Sequence, residues 1–173
     1  MNEQKPYINL NDSENLGIIQ AWWQGFDNNR GERADLRRCH SAHEVMLNPA
    51  YHRLRLRLSE NGEIYPGNLR RLAILAGVLA HVREGTQIPV AEQLGRSNTE
   101  METTGFSEIR FRRILQTEDP EDLFMTLIRM VQHQGGKINI RDLSYSILNW
   151  NERTREQWAM KYYTHAPERT KSE

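Results

Sequence analysis

Residues 68–84 read NLRRLAILAGVLAHVRE and contain the longest mostly apolar run without a charged side chain, 72–82. Apolar side chains return every three or four positions, which predicts a helix with one broad buried face. That face consists of Leu69, Leu72, Ala73, Leu75, Ala76, Leu79 and Val82. The apolar run is about half of the roughly 18–20 residues that a membrane span needs. We therefore predict that this segment forms the core of an N-terminal lobe.

Helical periodicity continues on both sides of this segment. Most of the predicted helices follow a Ser, Asp or Asn, residues that cap helix N-termini, and they cover 14–28, 32–39, 108–116, 119–132, 139–150 and 151–163. The stretch RLRLRL, 53–58, alternates like a strand, but Tyr51, Leu54 and Leu58 lie at helical spacing. We predict a helix there because a lone strand would have no sheet to join. Together these patterns predict an all-α fold.

Residues with turn and linker chemistry are concentrated between the two halves of the chain. Glycine, proline, serine, asparagine and threonine are frequent over 86–106, around one short turn at 90–94. We predict two small helical bundles: an N-terminal lobe over 1–85, a linker containing a short helical turn over 86–106, and a C-terminal lobe over 107–173.

The charges of the 173-residue chain sum to zero, with 23 basic and 23 acidic side chains. That balance argues against a nucleic-acid partner, but the kind of charge argues for one. Only four basic residues are lysines, so nineteen are arginines, and arginine binds phosphate with a planar, bidentate group. Seven arginines lie within 30–57 against three acids. The net charge of zero is thus an average over patches of opposite sign. The alternative explanation of the many arginines is that they lie on solvated helix faces and bind no partner.

Signatures of common enzyme and metal sites are missing from the sequence. It contains no GxSxG, Walker A, GxGxxG or HExxH motif, and its single cysteine excludes internal disulfides and cysteine-based zinc sites. Arginines flank Cys39, which predicts a lowered thiol pKa, but no histidine and asparagine partners can be named for it. The N-terminus lacks the features of a secretory signal. We predict a cytoplasmic protein with no catalytic site, no metal and no cofactor.

Arginines one helical turn apart carry the functional prediction. Arg53 with Arg57, and Arg110 with Arg113, would present guanidinium groups about 5–6 Å apart along a helix, a spacing that can follow a phosphate backbone without reading bases. Trp150 near Arg153 could stack an unpaired base. We favour a core role for Trp150, and for Trp22 and Trp158, because aromatic side chains at helical spacing usually face the interior.

Four sequence motifs are each weak alone, but together, in their order along the chain, they are specific for one protein family. They are AWWQGFDNNRGERADLRRC at 21–39, PAYHRL at 49–54, FSEIRFRRILQTEDPEDLFMTLIRMV at 106–131, and LNWNERTREQW at 148–158 followed by KYY. In this order and spacing the chain resembles the CasB family, the small subunit of the type I-E CRISPR surveillance complex called Cascade. The resemblance covers about residues 16–163.

The resemblance implies an all-helical, non-enzymatic protein of two lobes. It implies two copies packed head to tail within the complex, with the other Cascade subunits, the crRNA-containing assembly and target DNA as partners. The implied role is to stabilise the R-loop by holding the displaced non-target strand. One alternative is a structural scaffold whose arginines pair with partner proteins and do not touch DNA.

The family's basic positions can be carried over to seven arginines of this chain. The resemblance implies nucleic-acid contacts by Arg37 and Arg38 in LRR, Arg53 in AYHRL, Arg110 and Arg113 in SEIRFRR, Arg129 in LIRM, and Arg153 in WNER. The chain departs from several relatives at Gln116, where they carry a basic residue, and Arg112 or Arg113 is expected to substitute.

Overall fold

Ten α-helices make up most of the computed structural model, which describes residues 5–97 and 106–166. They are α1 Ser13–Gln24, α2 Arg30–Arg37, α3 Ala42–Met46, α4 Pro49–Leu58, α5 Leu69–Leu79, α6 Val90–Ser97, α7 Glu108–Gln116, α8 Pro120–His133, α9 Ile140–Leu148 and α10 Glu152–His165. Short 3₁₀ turns lie at Gly25–Asn28, Ser59–Asn61 and Pro66–Asn68. The prediction of an all-α fold is confirmed. No helix within these ranges is long and apolar enough to cross a membrane.

Local sequence determines where most helices begin. A polar side chain just before the helix accepts a hydrogen bond from a first-turn amide, as Ser107 does from Arg110 N and Asn151 does from Thr154 N. The segment RLRLRL is helical, as predicted, and belongs to α4. Its residues Leu54 and Leu58 are fully buried. Asn48 caps this helix and Pro49 occupies its first turn, where proline costs no hydrogen bond.

Helix α5 lies at the centre of the core and packs against α3, α8 and α9. All its residues from 72 to 79 are buried. The approach to α8 is close: a Cβ atom on Gly77 would lie 2.5 Å from Phe124 Cε2. The predicted core segment is therefore confirmed.

The C-terminal end of α5 differs from the prediction. The helix was expected to run to residue 84, but it ends at Leu79. The amides of Arg83 and Glu84 instead donate to Gly136 O, at 2.7 and 3.1 Å. There β1 Glu84–Gly85 pairs in parallel with β2 Lys137–Ile138. A carbonyl 53 positions from Arg83 and 52 from Glu84 thus replaces the acceptor that a continued helix would supply. Helical periodicity in the sequence cannot reveal such a contact. Helix α1 also ends early, at Gln24, and continues as a 3₁₀ turn.

The buried apolar side chains form one connected cluster that includes residues of both predicted lobes. Helix α6, inside the predicted linker, is longer than the expected turn and packs closely on α10: a Cβ on Gly95 would lie 2.5 Å from Tyr162 O. The rest of the predicted linker, 98–105, lies outside the described residues. The division into two lobes stays a prediction.

Candidate nucleic-acid interface

Some arginines bind carbonyl groups at helix ends and serve the fold. Arg33 donates from Nε to Ala80 O, 2.9 Å, and from Nη2 to Val82 O. Arg71 donates from Nη1 to Leu148 O and Trp150 O, at 3.3 and 3.2 Å. These carbonyls lie at or just beyond the C-terminal ends of α5 and α9, where acceptors are unpaired and the helix dipole is negative. Cations at these positions therefore stabilise helix termini.

A second set of arginines, which shares Arg33 with the first, lines three adjoining grooves. The first groove, about 550 Å³, lies between α2 and the segment that follows α5; its lining is Arg30, Arg33, Ala34, Arg37 and Arg83. The second, about 200 Å³, is lined by Arg37, Cys39, His40, His81, Met125, Ile128, Arg129 and Gln132. The third, about 380 Å³, lies between α7 and α8 and is lined by Phe106, Arg110, Arg113, Thr126, Arg129, Met130 and His133.

The three grooves form one surface because they share arginines. Arg37 borders the first and the second, and Arg129 borders the second and the third. We call this surface the basic face; its arginines are Arg30, Arg33, Arg37, Arg83, Arg110, Arg113 and Arg129. Among the described residues, no carboxylate lines the basic face or forms an ion pair with these seven side chains.

The pKa values of neighbouring groups reflect the dense positive charge of this surface. Burial, followed by repulsion from Arg37 and Arg83, lowers the pKa of Arg33, and the carboxylate of Asp27 offsets this only in part. Burial and the positive charges of Arg37 and Arg33 lower the pKa of His81 to about 4. The pKa of His133 is lowered by burial and by Arg110. A bound anion would relieve this repulsion, so the basic face is suited to a chain of phosphates.

Four of the seven arginines proposed from sequence lie together on the basic face: Arg37, Arg110, Arg113 and Arg129. The other three lie elsewhere. Arg38 pairs with Asp35 at 2.8 Å, and Arg53 pairs with Glu32. Arg153 is exposed in the first turn of α10 and lines none of the three grooves.

Sequence reasoning missed three arginines of the basic face. Arg30 and Arg33 had a usable signal, because they share the helical spacing of Arg37 on α2. Arg83 had none: it was expected on a continuous helix, and the early end of α5 places it beside α2 instead.

The thiol pKa of Cys39 is shifted in the direction opposite to the one expected from its sequence neighbours. Burial raises the pKa of its thiol, and the carboxylates of Glu44 and Asp35 raise it further. The expectation of a lowered pKa is wrong, because sequence neighbours are not spatial neighbours here: Arg38 turns to Asp35, whose backbone oxygen also accepts from the Cys39 thiol at 3.6 Å. Within residues 5–97 and 106–166, no three histidine, cysteine or carboxylate side chains are grouped to hold a metal ion.

Trp150 is a core residue, as predicted. Its side chain is 2% exposed, its Nε1 donates to Thr117 O at 2.7 Å, and its ring meets that of Trp158 edge to face. Trp22 and Trp158 are also buried. No face of Trp150 is therefore available to stack a base.

Comparison with known proteins identifies a family and similar solved structures. Residues 32–163 match the family model described as CRISPR-associated protein Cse2. No curated protein matches the chain significantly. The fold is similar to that of a chain in the crystal structure of E. coli Cascade bound to a PAM-containing dsDNA target, with a TM-score of 0.65 and 20% identity over 87% of this chain and 94% of that chain.

Proposed function

This chain belongs to the Cse2 family of CRISPR-associated proteins, also called CasB, and from that premise we propose that it is a non-catalytic subunit of a type I-E Cascade complex acting in antiviral defence. Its partners in this proposal are the other Cascade subunits, the crRNA that they carry, target DNA and a second copy of itself. The basic face is the part of this subunit that meets nucleic acid.

Within the complex, the proposed role of the basic face is to hold the displaced non-target strand. The observation that carries this proposal is the run of three adjoining grooves with seven arginines and no lining carboxylate. Exchange of a DNA duplex for a guide–target heteroduplex is nearly balanced in free energy, so contacts to the displaced strand can tip it. Contacts to phosphates are independent of sequence, as any target requires.

The proposed phosphate ligands are the seven arginines of the basic face. Four of them were also put forward from the sequence: Arg37, Arg110, Arg113 and Arg129. The structure adds Arg30, Arg33 and Arg83. Contacts by Arg38, Arg53 and Arg153 stay predictions. Arg38 and Arg53 already have carboxylate partners, so a phosphate would have to compete with an existing ion pair. These three arginines suit contacts outside the basic face, including contacts with partner proteins.

Two double substitutions of equal charge test the proposal. Arg113→Gln with Arg129→Gln removes two charges from the basic face. Arg141→Gln with Lys161→Gln removes two exposed cations that line none of the three grooves and have no carboxylate partner among the described residues. Each variant, as the full chain, is titrated against a fluorescent single-stranded oligonucleotide at several salt concentrations.

We expect the basic-face variant to bind more weakly and with a shallower salt dependence. Each lost phosphate contact reduces the slope of log K against log salt by about 0.7 for single strands, hence by about 1.4 for two. The control variant should keep nearly the full slope. Equal slopes in the two variants would overturn the role of the basic face.

Co-expression with the other subunits separates this role from a purely structural one. A strand-binding surface predicts that Arg113→Gln with Arg129→Gln leaves assembly intact. If these arginines instead paired with partner proteins, the variant would fail to co-purify with the complex.

A further inference from the structure

The second groove joins the two ends of the basic face, and apart from His81 its lining comes from two walls. One wall follows α2 and contributes Arg37, Cys39 and His40. The other is a stripe along one face of α8 that consists of Met125, Ile128, Arg129 and Gln132. Arg37 also lines the first groove, and Arg129 also lines the third. The separation of the two walls therefore sets the separation of the two ends of the basic face.

Glu121 lies just beyond this groove and bonds across to the opposite wall. It precedes Met125 by four positions, which places it on the same face of α8. Its Oε1 accepts a hydrogen bond from the amide of Ala42 at 3.3 Å. Ala42 is the first residue of α3 and follows His40 by two positions. Among the described residues, no other hydrogen bond or ion pair joins α8 to residues 37–46.

The second carboxylate oxygen of Glu121 holds the side chain in one orientation. Oε2 accepts from Arg70 Nε at 3.2 Å and lies 3.1 Å from Arg70 Nη2. Arg70 belongs to α5, the helix on which both α3 and α8 pack. Because both side chains are partly exposed, this ion pair adds little to stability. What the two contacts determine is where α3 begins relative to α8.

We propose that Glu121 is a positioning residue for strand binding: by holding the start of α3 against α8, it keeps Arg37 and Arg129 at a separation that one continuous strand can bridge. This inference rests on the proposed function, since the strand is the one that the basic face holds. Without Glu121 the two walls can move apart. A strand would then contact the arginines on one side of the second groove at a time, although all seven are still present.

Two substitutions that remove the same charge test this role. Glu121→Met removes both oxygens, and with them the acceptor for the Ala42 amide. Glu121→Gln is the matched control, because its amide oxygen can still accept that hydrogen bond. Each full-length variant is titrated against a fluorescent oligothymidine at several salt concentrations. The loss of an acid alone would strengthen binding to a polyanion equally in both variants, so charge cannot account for a difference between them.

We expect Glu121→Met to bind the oligothymidine more weakly than the unsubstituted chain does, although the variant is less acidic. The slope of log K against log salt should fall by about 0.7 for each phosphate that the strand no longer contacts. Glu121→Gln should keep nearly the full slope. Glu121→Ala removes the same contacts with the residue that most favours a helix, and it gives the same test if Glu121→Met does not fold.

The possible results separate positioning from a folding defect and from the proposed function. A smaller folded fraction lowers the apparent affinity by a constant factor and leaves the slope unchanged. Equal slopes in Glu121→Met and Glu121→Gln, or tighter binding by Glu121→Met, would overturn the positioning role. If that role alone fails, Arg113→Gln with Arg129→Gln still lowers the slope. If the proposed function fails, that double variant leaves the slope unchanged as well.

Discussion

At the scale of single residues, His81 links the basic face to the stability of the fold. Neither ring nitrogen of His81 has a hydrogen-bond partner among the described residues. Burial and the charges of Arg37 and Arg33 hold its pKa at about 4, below the ordinary value of 6.5. The unfolded chain therefore binds more protons between these two values. The contribution that the neutral His81 makes to folding stability is fully present above pH 6.5 and is lost as the pH falls towards 4.

Replacing this imidazole should make stability less dependent on pH. We expect the free energy of unfolding of the unsubstituted chain to fall between pH 7 and pH 5, with His81 responsible for about 1 kcal/mol once solvent screening of a partly buried ring is included. His81→Gln should show a smaller fall over the same interval. Urea unfolding at both pH values measures it, and an identical fall in both proteins would contradict the assignment.

The sequence could indicate residue roles only where neighbours along the chain remain neighbours in space. Arg110 and Arg113 were paired correctly on one helix, because the spacing of a helix is local. The environment of Cys39 was predicted wrongly, because its pKa depends on Asp35 and Glu44 rather than on the flanking arginines. The third groove is lined by both Phe106 and His133, which lie 27 positions apart, and no local pattern links the two.

At the scale of helices, the close packing of α6 on α10 and of α5 on α8 requires a glycine at each contact. A Cβ on Gly95 of α6 would lie 2.5 Å from Tyr162 O of α10, a backbone atom that cannot move without shifting the helix. A Cβ on Gly77 of α5 would meet side chains and not backbone, namely the Phe124 ring at 2.5 Å and Val45 Cγ2 at 3.0 Å. In contrast, Gly31 of α2 has open space around its Cβ position. The three positions allow the same substitution to be compared in different surroundings.

Substitution by alanine should therefore change the free energy of unfolding in opposite directions at Gly95 and at Gly31. Gly95→Ala is expected to destabilise the protein by about 1–3 kcal/mol, the usual cost of overpacking. Gly31→Ala should be neutral or stabilising by up to about 1 kcal/mol, since alanine favours a helix. Denaturant unfolding compares the two. If Gly95→Ala were as stable as Gly31→Ala, the close packing of α6 on α10 would be wrong.

The existence of helices was predictable, but their ends were less so. Capping residues such as Ser107 and Asn151 marked helix starts, because the cap is a contact over three positions. The end of α5 was predicted five residues too late. Gly136 O, which accepts from Arg83 and Glu84, belongs to a distant turn after α8. That tertiary contact also places Arg83 on the basic face. Because the end of α5 was predicted wrongly, Arg83 was not predicted as a residue of the site.

At the scale of the whole molecule, a net charge of zero conceals a separation of charge. Seven arginines converge on the basic face without a lining carboxylate. Many acids instead occupy the first turns of helices, including Glu14, Glu108, Asp142 and Glu152. There they interact favourably with the helix dipole. The isolated chain should thus bind DNA modestly, with stronger binding when a complex aligns several such faces along one strand.

The most direct test of the strand-holding role is protection of the displaced strand in an assembled complex. Complexes carrying Arg113→Gln with Arg129→Gln, or the control pair Arg141→Gln with Lys161→Gln, would be matched for subunit and crRNA content. Each would then be bound to a target duplex and probed with a single-strand nuclease. We predict that the basic-face variant loses protection of the non-target strand and releases target faster at raised salt, while the control does neither. Unchanged protection in the basic-face variant would contradict the account.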